Sequence, residues 1–246
     1  MLSNVLFLQL PILLVLSKNI PSYVKFCRKN DPDLGKCILN SSNEIVKHGY
    51  EAIPDMDLPA LDPLHINKVS VDTDGSVVKI HVDLIDCIFK NVANSRTNHF
   101  EADLEKARFS GRLYFPNTTA TSNYTMTGKI INFDIQAKGS LSFEAINTTS
   151  EVEWYGSYYM KNNKKHMIIN KIETKTNVQE IKIYFYKLFG DNEELTDSVN
   201  KIINENIQEL KKDLEGIIEK TIGEVSMTYF NRVLNVLSVD ELFPDD

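Results

Sequence analysis

Cys87, His81 and Asp83 come nearest to a reactive constellation in this chain. All three are odd-numbered in a run of alternating apolar and polar residues, so one extended strand would place them on a common face. Thiol, imidazole and carboxylate together could serve as nucleophile, base and orienting group. Nothing nearby offers an oxyanion site, and the chain has no Gly-x-Ser-x-Gly elbow, phosphate loop or dinucleotide fingerprint. The histidines are His48, His65, His81, His99 and His166, and no two have metal-ligand spacing on one element. His81 therefore reads as a solvated or hydrogen-bonded strand residue, and Cys87 as a small buried apolar one. No catalytic residue, metal or cofactor is expected. An extracellular esterase or transferase would lack any motif to carry it.

The elements that would position these residues are a set of strands and one long helix. Val78, Ile80, Val82 and Leu84 alternate with polar residues after a Thr73-Asp74-Gly75 turn, which is the period of a half-buried strand. The same alternation recurs at Ile131, Phe133, Ile135 and Ala137, and at Ile181, Ile183 and Phe185. Further strands are expected over 100–115, 140–146, 151–160 and 166–176, joined at Asn-Thr, Lys-Gly and Asn-Asn turns in an antiparallel meander. An earlier helix should start at Asp31-Pro32 and stop at Gly49. From Asp191 to Leu237 the pattern predicts a single long helix, capped by Asp191 with Glu194 as its reciprocal partner. Its stripe runs from Val199 to Val236 in ten steps of roughly 3.7 residues, the period of a nearly straight helix facing one broad partner. Such a helix would span about 65–70 Å. Only a long, curved sheet could cover its apolar side.

The formal net charge of −7, from 27 basic and 34 acidic residues without a long basic run, argues against nucleic acid or an anionic membrane as an electrostatic partner. Val5 to Leu16 is apolar but shorter than the ~20 residues of a membrane span. It suits a secretory signal peptide covering residues 1–17, cleaved after Ser17, with residues 18–246 forming one domain. Sequons at Asn40, Asn117, Asn123 and Asn147 are then expected to carry glycans. Asn117 and Asn123 are read as flanking a polar turn, Thr118 to Ser122. Cys27 and Cys37 lie close together, and a disulfide between them fits the oxidising compartment, which leaves Cys87 free.

Several short segments in order resemble the insect juvenile-hormone-binding protein and takeout family. They are the Cys27…Cys37 pair ahead of a helix; Gly49-Tyr50-Glu51-Ala52-Ile53-Pro54 followed by Leu58-Pro59-Ala60-Leu61-Asp62-Pro63-Leu64; Tyr124 with Gly128-Lys129-Ile130; Leu188-Phe189-Gly190-Asp191 with Asn200 and Asn204-Glu205-Asn206; and Asp240-Glu241-Leu242-Phe243-Pro244. The chain departs from the family pattern at Lys187-Leu188, at Ile207, where a tryptophan often stands, and at Ala137. The resemblance implies an α+β fold in which a strongly curved antiparallel sheet wraps a long C-terminal helix and encloses an apolar tunnel. It also implies a secreted, takeout-like carrier of a small hydrophobic ligand, a terpenoid hormone such as juvenile hormone or a fatty-acid-like molecule. On that reading Val82, Leu84, Phe133, Ile135 and Phe185 line the tunnel from strands, and Val199, Ile203, Ile207 and Leu210 line it from the helix. Ile53, Leu58 and Leu64 sit near one mouth. A small hydrophobic ligand and an unidentified protein receptor are the expected partners, with no stable membrane insertion. The other reading is a secreted interaction glycoprotein with a filled core, for which the Trp154-Tyr155…Tyr158-Tyr159 cluster would serve a protein partner.

Overall fold

The computed structural model describes residues 19–130 and 133–245, so the signal-peptide expectation falls outside the described residues. The elements run α1 (Leu34–Lys47), β1 (Leu64–Asp72), β2 (Val78–Lys90), β3 (Arg96–Asp103), β4 (Arg108–Ile130), β5 (Phe133–Lys161), β6 (Lys164–Phe185), α2 (Glu193–Glu205), α3 (Ile207–Val236) and α4 (Val239–Leu242). All strand pairs are antiparallel, in the order β1-β2-β4-β5-β6, with β3 beside the first part of β4.

The strands are far longer than the sequence predicts. Asn117-Thr118, Lys138-Gly139 and Asn147-Thr148 were expected at turns, yet all lie inside β4 or β5, and of these residues only Asn147, at positive φ, drops out of the pairing. Thr118 to Ser122 is likewise no turn: it is the middle of β4, with Ala120 and Ser122 buried. Of these expected turns, Asn162-Asn163 is the one that forms, both residues taking positive φ as a two-residue hairpin between right-twisted strands requires. A straight strand of 29 residues, the length of β5, would reach about 95 Å. The two C-terminal helices together span only about 65 Å. The sheet accommodates the difference by curling around them, without closing into a barrel.

The C-terminal helix is not continuous. Asn192, not Asp191, caps α2, its side chain accepting from the Leu195 N–H. At Asn206 the ladder tightens: the Glu209 N–H reaches the Asn206 carbonyl, and the Asn206 side chain folds back onto the Ile202 carbonyl. That separates α2 from α3. The first helix also starts later than Asp31. Asp31 instead accepts from the Asp33 N–H, and α1 begins at Leu34.

Polar side chains on one helical stripe fasten α2 and α3 to the outer edge of β6. Asn200 gives and takes a hydrogen bond with the backbone of Phe185 at 2.9 and 2.8 Å, and Asn204 does the same with Ile183 at 2.7 and 3.0 Å. Glu215 accepts from the Val178 N–H, Glu219 from the Thr176 N–H, and Asn231 exchanges both bonds with Ile169. Each carboxamide replaces the backbone partner that a further strand would supply.

Candidate ligand-binding site

Inside the curl, alongside α3, lies a cavity of about 540 Å³. Its strand wall comes from all six strands, through residues such as Val69, Val82, Phe100, Phe115, Phe143 and Phe185. Its helix wall runs from Ile203 through Leu210, Leu214, Ile218, Ile222 and Tyr229 to Leu234. At ~1.5 Å per residue, the stretch from Leu210 to Leu234 is about 36 Å long. Within α3 only Leu210 and Leu234 are buried, although the stripe between them faces inward. Those side chains meet open space. In α2, by contrast, Val199 is 1 % exposed and belongs to a packed cluster with Val178, Ile181 and Leu188, none of which lines the cavity.

Eight of the twelve residues expected to line a tunnel face this cavity: Ile53, Leu58, Leu64, Val82, Leu84, Phe185, Ile203 and Leu210. The other four do not. Phe133 is 48 % exposed at the start of β5 and meets Phe189 edge-on. Ile135 and Val199 are buried in the adjoining apolar cluster but are not part of the cavity wall. Ile207 packs on that same core as the first residue of α3, after the break at Asn206. The site is displaced toward the C-terminal half of the helix because α2 packs tightly while α3 does not. Leu214, Ile217, Ile218, Ile222 and Val225 were missed as wall residues, though the continuing apolar stripe was their signal.

The N-terminal segments cover one flank of the cavity. Val24 and Phe26, Ile38, Ile45 and Val46 of α1, and Ile53 to Leu61 contribute apolar side chains. The Cys27–Cys37 disulfide ties the first of these segments to α1. The Pro-rich stretch is held by the Gly49 carbonyl, which accepts from both Leu61 and Asp62 N–H. The Asp62 carboxylate accepts from the Ala93 N–H, and the Tyr229 hydroxyl donates to the Ala60 carbonyl.

The suspected reactive trio is separated by a bulge. Between Ile85 and Ile88 the β2–β4 register slips and Asp86 takes positive φ, which reverses the facing of every residue that follows. Cys87 consequently points into the cavity wall, while His81 and Asp83 stay outside. The His81 imidazole bonds Asp72 at 2.7 Å, and that carboxylate holds its pKa above the usual value. Burial pushes the Cys87 thiol up, away from the thiolate a nucleophile needs. Tyr124, packed in the adjoining core, is pushed up to about 12 by burial, and its hydroxyl donates to the Tyr186 carbonyl. Among the described residues no three His, Cys, Asp or Glu side chains converge as metal ligands, and no helix is long and apolar enough to cross a membrane.

Of the sequons, Asn40, Asn123 and Asn147 are exposed. Asn117 is half-buried, with its side-chain nitrogen on Glu144.

A curled antiparallel sheet laid around a long helix, with an apolar cavity between them, defines a class of protein that can enclose a small apolar molecule. The chain belongs to the haemolymph juvenile hormone binding protein family, whose model matches residues 5–244. It is similar to the circadian clock-controlled protein daywake of Drosophila melanogaster, 23% identical over 236 residues that cover 92% of this chain and 89% of that protein. The Drosophila yakuba daywake is 22% identical over 237 residues, with the same coverage of 92% and 89%. The crystal structure of Takeout 1 from Epiphyas postvittana has the same fold, with a TM-score of 0.76 at 16% identity, covering 90% of this chain and 100% of that one.

Proposed function

We propose that this chain is a secreted, non-enzymatic carrier of one small hydrophobic ligand, a terpenoid hormone such as juvenile hormone or a fatty-acid-like molecule. The observation that carries the reading is the apolar cavity of about 540 Å³ running beside α3. Its size falls in the range of small-molecule sites. The family's name, haemolymph juvenile hormone binding protein, supports both the ligand class and an extracellular setting. The disulfide and the three exposed sequons fit the same setting. A terpenoid or fatty chain burying ~400 Å² of apolar surface would gain ~10 kcal/mol gross. After the cost of association, affinities from micromolar to nanomolar are in reach. An interaction glycoprotein with a filled core would need side chains where this cavity lies.

Native mass spectrometry of protein purified from its own secretion tests the carrier reading, together with displacement of a fluorescent fatty probe. A bound apolar passenger, released on denaturation and chemically unchanged after long incubation, is expected. Protein that arrives empty and takes up no probe would sink the reading.

A further inference from the structure

Folded proteins leave few buried polar groups without a hydrogen bond, and each exception calls for an explanation. Among the described residues the side-chain atoms in this position are Ser122 Oγ, Thr148 Oγ1, Trp154 Nε1 and Asn117 Oδ1. Three of these four residues are in the cavity wall, the exception being Asn117. All three are deeply buried: Ser122 is 8 % exposed, Thr148 3 % and Trp154 2 %. The Ser122 hydroxyl has a hydrogen-bonding contact with the Cys87 thiol, but sulfur is a weak partner for a hydroxyl. Several other hydroxyls in the wall have firm protein partners. Ser41 bonds the Lys25 carbonyl, Thr73 the Val78 carbonyl and Tyr229 the Ala60 carbonyl.

We propose that the Ser122 and Thr148 hydroxyls are polar stations of the cavity, and that they select apolar molecules carrying a neutral oxygen, such as an alcohol, ester or ketone. This rests on the carrier reading above. Both residues point inward for structural reasons. Ser122 lies opposite Leu141 on β4, next to the bulge that turns Cys87 inward, and Thr148 lies between Phe115 and Val178 on β5. A hydroxyl can donate to a carbonyl or ether oxygen, and it can either donate to or accept from an alcohol. The charges of the wall argue for neutrality. Lys25, Glu51 and Arg96 are exposed, and the Arg96 guanidinium is held over the Tyr114 ring at 4.6 Å. Among the described residues of the wall, these exposed side chains are the charged ones, so no buried cation is available to compensate a carboxylate at Ser122 or Thr148, which would be costly to desolvate alone. Trp154 is left out of the test because it packs against Phe100 and Phe230, and replacing it would disturb that cluster.

The probes are dodecane, 1-dodecanol, methyl dodecanoate and dodecanoate ion, each displacing N-phenyl-1-naphthylamine from the full chain. They are measured on the wild type and on the near-isosteric double variant Ser122→Ala/Thr148→Val. The double variant should bind the alcohol and the ester roughly five- to tenfold more weakly, the scale of a lost hydrogen bond. Dodecane should hold its affinity or gain, and dodecanoate should bind the wild type more weakly than its methyl ester. Equal change for all four probes, or no change for any, would overturn the proposal while leaving carriage intact. If no probe displaces the reporter from the wild type, it is the carrier reading that fails.

Discussion

Replacing Asn200 by leucine isolates what the helix side chains do for the edge of β6. Asn200 is 2 % exposed, and its carboxamide exchanges two hydrogen bonds with Phe185, itself 5 % exposed. Leucine fills a similar volume but offers neither donor nor acceptor. One buried N–H and one buried C=O would lose their partner, at about 1–3 kcal/mol each. Burial of the leucine side chain offsets about 1.5–3 kcal/mol of that. The expected net loss is ~2 kcal/mol, the middle of those ranges. In a chain of this size, that corresponds to a fall of about 4–8 °C in the thermal midpoint. Because the lost bonds join helix to sheet, the damage should be local. The Phe185 amide should exchange with solvent much faster, while amides in the centre of β4 keep their protection. An apolar reporter should also leave the cavity sooner, since Phe185 is part of its wall. An unchanged midpoint together with an unchanged Phe185 exchange rate would refute the idea that these carboxamides hold the curl shut.

Three other outcomes follow from the geometry. Cys87, buried in the cavity wall with its thiol pKa raised by burial, should react slowly with N-ethylmaleimide and more slowly still when an apolar reporter is bound; equal rates with and without reporter would place it off the binding path. Ile218→Trp should weaken a bound fatty probe by about 1–3 kcal/mol through overpacking, whereas Ile207→Trp, outside the cavity, should change it less than twofold, and equal effects measured by titration would contradict the placement of the cavity. His81 should titrate above the usual histidine value in NMR, and Asp72→Asn should bring it back down. Because its folded pKa is raised, the stability contributed by that pair is fully present below the unfolded pKa and is lost as pH rises through the folded one.

The local patterns that could be read from sequence are those that repeat. The alternation from Val78 to Leu84 holds over its whole length, as does the helical stripe beyond Leu210, because each residue repeats the facing of a neighbour two or four positions away. The pairing of Cys27 with Cys37 was legible from their closeness. What interrupts a repeat was not legible. The bulge at Asp86 reverses β2, and nothing in Ile85-Asp86-Cys87 announces it. Polar pairs such as Asn117-Thr118 suit a turn by local propensity, but both residues are paired with β5 and stay in the strand, whereas Asn147 interrupts β5 with a positive φ without ending it. The solid packing of α2 against the half-open packing of α3 depends on how far the sheet curls, which no window of residues encodes. Asn200 and Asn204 were visible as a motif, but their role appeared only with β6 beside them.

The polar fastening along β6 has a consequence for how the protein behaves among its own copies. β6 is a 22-residue strand at the margin of the sheet. An uncovered margin of that length would be a template on which a second chain could add a strand, the first step toward fibrils. At Phe185, Ile183, Val178, Thr176 and Ile169 the outward backbone groups are already taken by helix side chains. The opposite margin, β1, is only nine residues long and carries Lys68. A fold that encloses an apolar interior thus has the longest margin along which its copies could polymerise occupied from within the same molecule.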